Sequence, residues 1–264
     1  MCSAPAVSRF SAVPGAPPSS AGALRGALRA AQRAASGELP PRYGGDWVRP
    51  FADRVAAKGG PGPSILDVGA GRAPTLRPAQ RPPGAHYVGL DVAAAELAGA
   101  PPGSYDEIIA GDVSVHLPLL DERFDTVLGW QVLEHVRRLA RALEDIHRYL
   151  RPGGRLVTLL SGRQAVFAQL NRMIPEIVGA AMVARVMGRH EDSVFPAAYD
   201  ACYQSALQRL LVAFSEVEVV PLWRGADYFR FSRALQALYV GYEEWAMRAG
   251  HDDLATHYLV EAVR

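Results

Sequence analysis

Apolar and polar positions follow two rhythms along this chain. Short apolar runs bounded by Gly, Pro or Asp at 64–68, 86–91, 106–110, 124–129 and 155–160 predict strands. Between them apolar residues recur at helical spacing, most clearly over 133–150 with Val136, Leu139, Leu143, Ile146 and Leu150. Strand and helix alternating at this interval predict a parallel sheet with right-handed crossovers. Past Leu160 the regularity pauses: 163–189 is helical and apolar, and a polar loop follows. A helix at 205–214 precedes strands at 216–220 and 256–263, with a helical insert at 225–252 between those strands.

Residues 1–20 are rich in Pro, Ser, Ala and Gly, a composition that stays unfolded. Residues 21–36 form a helical pattern with Arg25, Arg29 and Arg33 stacked and Leu24 and Leu28 on an adjoining face. Residues 1–36 therefore read as a flexible tail with a short helix, either solvated or lying over a ligand site, and 37–264 as one domain. No apolar core follows a basic start, so a secretory signal is not expected. No run reaches the roughly 20 apolar residues that span a bilayer.

Composition narrows the class. At 264 residues and 49% hydrophobic, the chain can bury a sizeable core. A net charge of +1 gives no whole-protein electrostatic case for nucleic acid. Cys2 and Cys202 are too few for a disulfide framework or a zinc site, and no metal is expected. A cytoplasmic location fits. Lys58 is the sole lysine against abundant Arg, Ala, Gly and Pro, which points to a GC-rich, bacterial coding composition.

The chemistry gathers at ILDVGAGRAP, residues 65–74. An apolar strand carrying Asp67 turns through Gly69, Ala70 and Gly71, and glycines there let backbone approach a ligand closely. Asp91 closes the second apolar run, where a carboxylate can accept from both hydroxyls of a ribose. A dinucleotide site would place a third glycine where Pro74 stands. Downstream lie AGDVSVHLPL with Asp112, FDTVLGWQVLEHV over 124–136, and LRPGGRLVTL over 150–159. This series, in this order, resembles the class I S-adenosylmethionine-dependent methyltransferases, in their small-molecule, type 11-like branch. The resemblance covers about residues 60–160.

It implies a seven-stranded, mostly parallel Rossmann-like sheet with helices on both faces, a last strand running antiparallel between the fifth and sixth, and a helical lid over 161–204. It implies S-adenosylmethionine as cofactor: Asp67 towards the methionine ammonium, Gly69, Ala70 and Gly71 for close approach, and Asp91 with Val92 at the ribose. Asp112 would accept from the adenine amino group, and the Val113 amide would serve a ring nitrogen. Gly129, Trp130 and Gln131 would pass under the methionine moiety. One departure is Ala73, where the family often shows a third glycine.

Candidate bases are His135, His190 and Tyr43, since methyl transfer to a hydroxyl or amine needs proton removal. The fourth strand reads GWQV rather than a motif that grips a planar amino group, so the acceptor is expected to be a small organic molecule. The alternatives are RNA or protein methylation, or a scaffold that binds the cofactor without turnover. The apolar stretch 163–189 could be a lid, a membrane-surface helix or a homodimer contact.

Overall fold

The computed structural model describes residues 20–45, 48–56, 62–164 and 198–264. Its centre is a seven-stranded sheet in the order β3-β2-β1-β4-β5-β7-β6. The strands are β1 (Ser64–Val68), β2 (His86–Asp91), β3 (Glu107–Ala110), β4 (Phe124–Trp130), β5 (Leu150–Ser161), β6 (Glu216–Leu222) and β7 (His257–Val263). The first five pair in parallel, and β7 runs antiparallel between β5 and β6. The helices are α1 (Ser20–Ala35), α2 (Arg49–Ala56), α3 (Ala94–Ala98), α4 (Leu139–Tyr149), α5 (Gln204–Leu210) and α6 (Arg233–Arg248).

Period-two alternation sends successive side chains to opposite faces. Leu66, Val68, Val127, Leu156 and Val260 pack with Leu139, Leu143 and Ile146 of α4. Ile65, Tyr87, Leu128, Val157 and Leu259 pack on the other face with Phe51 and Val55 of α2. Both faces are covered, which is why the central strands read as nearly continuous apolar runs.

Two local expectations shift. The helical pattern over 133–150 is not one helix: Leu133–His135 form a 3-10 turn, Val136 is extended (φ −80°, ψ 119°), and α4 starts at Leu139. The chain has to leave the sheet edge and turn back along it before the regular helix can dock. Pro152-Gly153-Gly154 falls inside β5 rather than before it. Phe124 pairs with Leu150, and regular pairing resumes at Thr126 with Arg155, so the residues between bulge out of the ladder.

Against α6 lies α1, with Ala23, Ala27 and Ala34 buried. Small residues let the two backbones approach: a Cβ on Gly241 would come within 3.0 Å of the Ala31 methyl. The stretch from Ser20 is thus a docked helix rather than a solvated one. The insert expected at 161–204 falls largely on residues outside those described, including His190 and most of 163–189. Among the described residues no helix is long and apolar enough to cross a membrane.

Candidate functional site

The strand order reverses between β1 and β4, and an open parallel sheet binds ligands at the carboxyl ends of strands flanking such a point. Every predicted cofactor residue falls on that edge. β1 ends at Val68, and Gly69 (φ 68°) and Gly71 (φ 50°) take left-handed conformations that a Cβ penalises. Gly69 meets a second constraint, because a Cβ there would lie 2.3 Å from Val132 Cγ2. A Cβ on Gly71 would have only Asp91 Oδ2 nearby, at 3.8 Å, so conformation alone asks for glycine there. The Gly69 and Ala70 amides donate to the Leu90 carbonyl at 2.8 and 3.3 Å, which ties the turn to β2.

Alternation aims the Asp67 side chain at the α2 face, where it is fully buried. Its Oδ2 accepts from the Thr75 amide and the Tyr87 hydroxyl, each at 2.7 Å, and its Oδ1 accepts from the Thr75 hydroxyl at 2.7 Å. Burial pushes its pKa up, opposed by those donors and by the Arg81 charge. Asp67 thereby fixes the loop 69–75 from beneath. Tyr105 completes the support: its hydroxyl proton is shared between the carbonyls of Ala70 (2.8 Å) and Gly71 (3.1 Å). The Arg81 guanidinium lies 3.8 Å from the Tyr87 ring centre. Thr75, Tyr87, Tyr105 and Arg81 were not legible as site residues, because no spacing rule links them to the turn.

Asp91 ends β2 with Oδ2 accepting from the Gly71 amide (3.1 Å) and Oδ1 from the Ala93 amide (2.8 Å). A carboxylate has roughly four lone-pair sites, so two remain. Val92 beside it is 66% exposed. After β3, Asp112 is exposed, and its Oδ1 accepts from the Ser114 amide and hydroxyl, both at 2.8 Å. Its Oδ2 takes no bond among the described residues, and Val113 next to it is buried. At the end of β4 the Gly129 carbonyl accepts from the Thr158 hydroxyl at 2.9 Å. The Trp130 ring meets Phe51 edge-on at 5.1 Å. Gln131 takes φ 53°, uncommon for a residue with a side chain, and its amide donates to the Leu159 carbonyl at 2.7 Å.

The candidate bases scatter. The Tyr43 hydroxyl donates to Glu243 Oε2 and accepts from the Ala226 amide at 3.2 Å. Burial and the Glu243 charge push its pKa up. Glu243 is a buried hub that also accepts from the Gly225 amide (2.6 Å) and the Thr256 hydroxyl (2.9 Å), with Arg42 at 3.4 Å. His135 lies half-buried on the 3-10 turn after β4. His190 lies outside the described residues. Glu134 is 2% exposed; its Oε1 accepts from the Ser161 amide at 3.2 Å, its Oε2 has no partner among the described residues, and burial raises its pKa. The LEHV stretch placed Glu134 near the site without indicating its burial.

The arrangement suits a nucleoside with an amino-acid tail: a close-approach turn, a carboxylate at the second strand, an exposed carboxylate after the third, and a strained residue after the fourth. Comparison with known proteins agrees with it. Residues 66–158 match the methyltransferase domain family model. A demethylmenaquinone methyltransferase of Symbiobacterium thermophilum is 33% identical over 125 residues, 43% of this chain and 47% of that protein. A ubiquinone biosynthesis O-methyltransferase of Pseudomonas syringae pv. tomato is 30% identical over 140 residues, 48% of this chain and 55% of that protein. The chain thus spans about half the length of the curated relatives it matches. Among solved structures, Haemonchus contortus phosphoethanolamine N-methyltransferase 2 with S-adenosyl-L-methionine superposes with a TM-score of 0.52 at 16% identity, over 83% of this chain and 53% of that one. The cyclase SpnF superposes with a TM-score of 0.51 at 18% identity, over 94% and 97%. Those two likenesses establish the fold.

Proposed function

On the premise that this chain belongs to the class I S-adenosylmethionine-dependent methyltransferases, through the domain at residues 66–158, we propose that it methylates a small organic acceptor. The observation that carries the cofactor assignment is Asp91, held by the Gly71 and Ala93 amides at the end of β2 with lone pairs to spare. The cofactor supplies an electrophilic methyl on a sulfonium, already activated for in-line displacement.

The chain's own residues do the rest. Asp67 and Tyr105 hold the turn, so the Gly69–Gly71 backbone presents a fixed surface to the ligand. Asp91 accepts from ribose hydroxyls, and Asp112 with the Val113 amide reads the adenine edge. The β4 end, Gly129 to Gln131, supports the methionine moiety. Preorganisation of this kind converts binding energy into alignment.

For the proton, the Tyr43 hydroxyl is already engaged with Glu243, which favours His135 or His190 as acceptor. Quinone-type acceptors, as in the names of the curated relatives, are the first class to screen. The test is turnover to S-adenosylhomocysteine with demethylated quinols and other small phenols; His135→Asn and His190→Asn should each be compared with Tyr43→Phe. Loss of kcat confined to a histidine variant identifies the base. Cofactor binding without turnover for any acceptor would favour a non-methylating role, consistent with the same fold in a cyclase.

A further inference from the structure

Lined by none of the predicted cofactor residues, a groove of about 510 Å3 lies between α1, the segment 38–41 and the C-terminal end of α6. Its floor is small, since Gly22, Gly26 and Ala30 recur every fourth residue, and its rim is basic, since Arg25, Arg29 and Arg33 recur at the same spacing. Arg248 enters from α6 because position 26 carries no side chain: a Cβ there would lie 2.6 Å from Arg248 Nε. Glu38 pairs with Arg33. Glu244 pairs with Arg248 at 3.0 Å but divides its charge with Arg42 at 2.5 Å. Arg25 and Arg29 have no acidic partner among the described residues.

Four guanidinium groups therefore face one concavity with two carboxylates to balance them, on a chain whose net charge is only +1. The docked alanine face of α1 fixes the backbone that carries the stripe, so a ligand has only the arginine side chains to order. Guanidinium forks match phosphate oxygens two at a time. We propose that this groove binds a phosphate- or diphosphate-bearing ligand, at a site separate from the cofactor crevice. Two sources carry that chemistry, a soluble phosphorylated molecule and an anionic lipid headgroup. Leu24 and Leu28, exposed beside Arg25 and Arg29, would give the second an apolar contact.

The test titrates inorganic pyrophosphate into the full chain by calorimetry at fixed ionic strength. Saturable binding is expected, weakened at least tenfold in Arg25→Ala/Arg29→Ala and unchanged in Arg137→Ala/Arg138→Ala, which removes two exposed arginines ahead of α4. Gly26→Val, which displaces Arg248, should also weaken it with both α1 arginines intact. Cosedimentation with phosphatidylglycerol vesicles that pyrophosphate competes away, and that the Arg25/Arg29 variant loses, assigns the ligand to a lipid. Intact pyrophosphate binding without cosedimentation assigns it to a soluble molecule. Absence of saturable binding, or equal affinity in the two double variants, overturns the proposal. S-adenosylmethionine affinity should be the same in all these variants, which separates this result from the fate of the cofactor reading.

Discussion

Gly69 and Gly71 are two residues apart on one turn, yet the structure assigns them different reasons for being glycine. Gly69→Ala incurs about 1–2 kcal/mol for a Cβ in the left-handed region. It adds about 1–3 kcal/mol of overpacking, because the new Cβ would sit 2.3 Å from Val132 Cγ2. The sum is roughly 2–5 kcal/mol. Gly71→Ala meets nothing closer than 3.8 Å and should lose only the conformational share, about 1–2 kcal/mol. Urea unfolding of both variants measures the difference. Gly69→Ala/Val132→Ala should recover part of the overpacking share, since Val132 Cβ would still lie 2.9 Å away, seen in a double-mutant cycle as a coupling of about 1 kcal/mol or more. Equal losses at the two glycines, or zero coupling with Val132, would refute the packing of the turn on the segment after β4.

Three further outcomes follow from buried groups. Glu243→Ala strips the acceptor from Tyr43, Gly225, Thr256 and Arg42 together, and should destabilise by about 3–5 kcal/mol in thermal unfolding. Tyr43→Phe removes one donor to that hub and should destabilise by about 1–3 kcal/mol in the same assay, with kcat retained. His257 is fully buried, and burial with the nearby Arg224 charge lowers its pKa from 6.5 to about 4. The unfolded chain then binds the proton first as pH falls, so its share of stability is whole above pH 6.5 and declines towards pH 4. The loss is about 3 kcal/mol by the linkage relation, and in His257→Gln the pH slope of urea midpoints over that window should shrink.

The sheet was legible because its central strands are buried on both faces. Apolar runs such as Ile65–Val68, broken only by Asp67, and Val127–Gly129 leave little choice of element, and β1, β2 and β4 start where the predicted strands at 64, 86 and 124 do. The placement of β7 between β5 and β6 was not readable from its residues and came from the family resemblance. Asp91 was placed at a strand end because it closes the second apolar run, whereas Asp112, two residues past β3, came from the family resemblance. The burial of Asp67 was hidden, since its partners Thr75 and Tyr87 lie on the loop and on the neighbouring strand. The docking of α1 was also concealed. Its buried stripe is alanine, a weak hydrophobic signal, while its leucines Leu24 and Leu28 face outward. The link from Tyr43 to Glu243 joins residues 200 apart in sequence, beyond the reach of any local pattern.

The central claim is that the turn after β1 and the carboxylate of Asp91 hold S-adenosylmethionine. Calorimetric titration of the full chain with S-adenosylmethionine, with NAD and Asp91→Ala as controls, tests it directly. The account predicts saturable binding of S-adenosylmethionine, none of NAD, and at least a tenfold loss in Asp91→Ala measured well below its unfolding midpoint, which should fall because the Gly71 and Ala93 amides lose their acceptor. Absence of S-adenosylmethionine and S-adenosylhomocysteine binding, or equal affinity in Asp91→Ala, would contradict it.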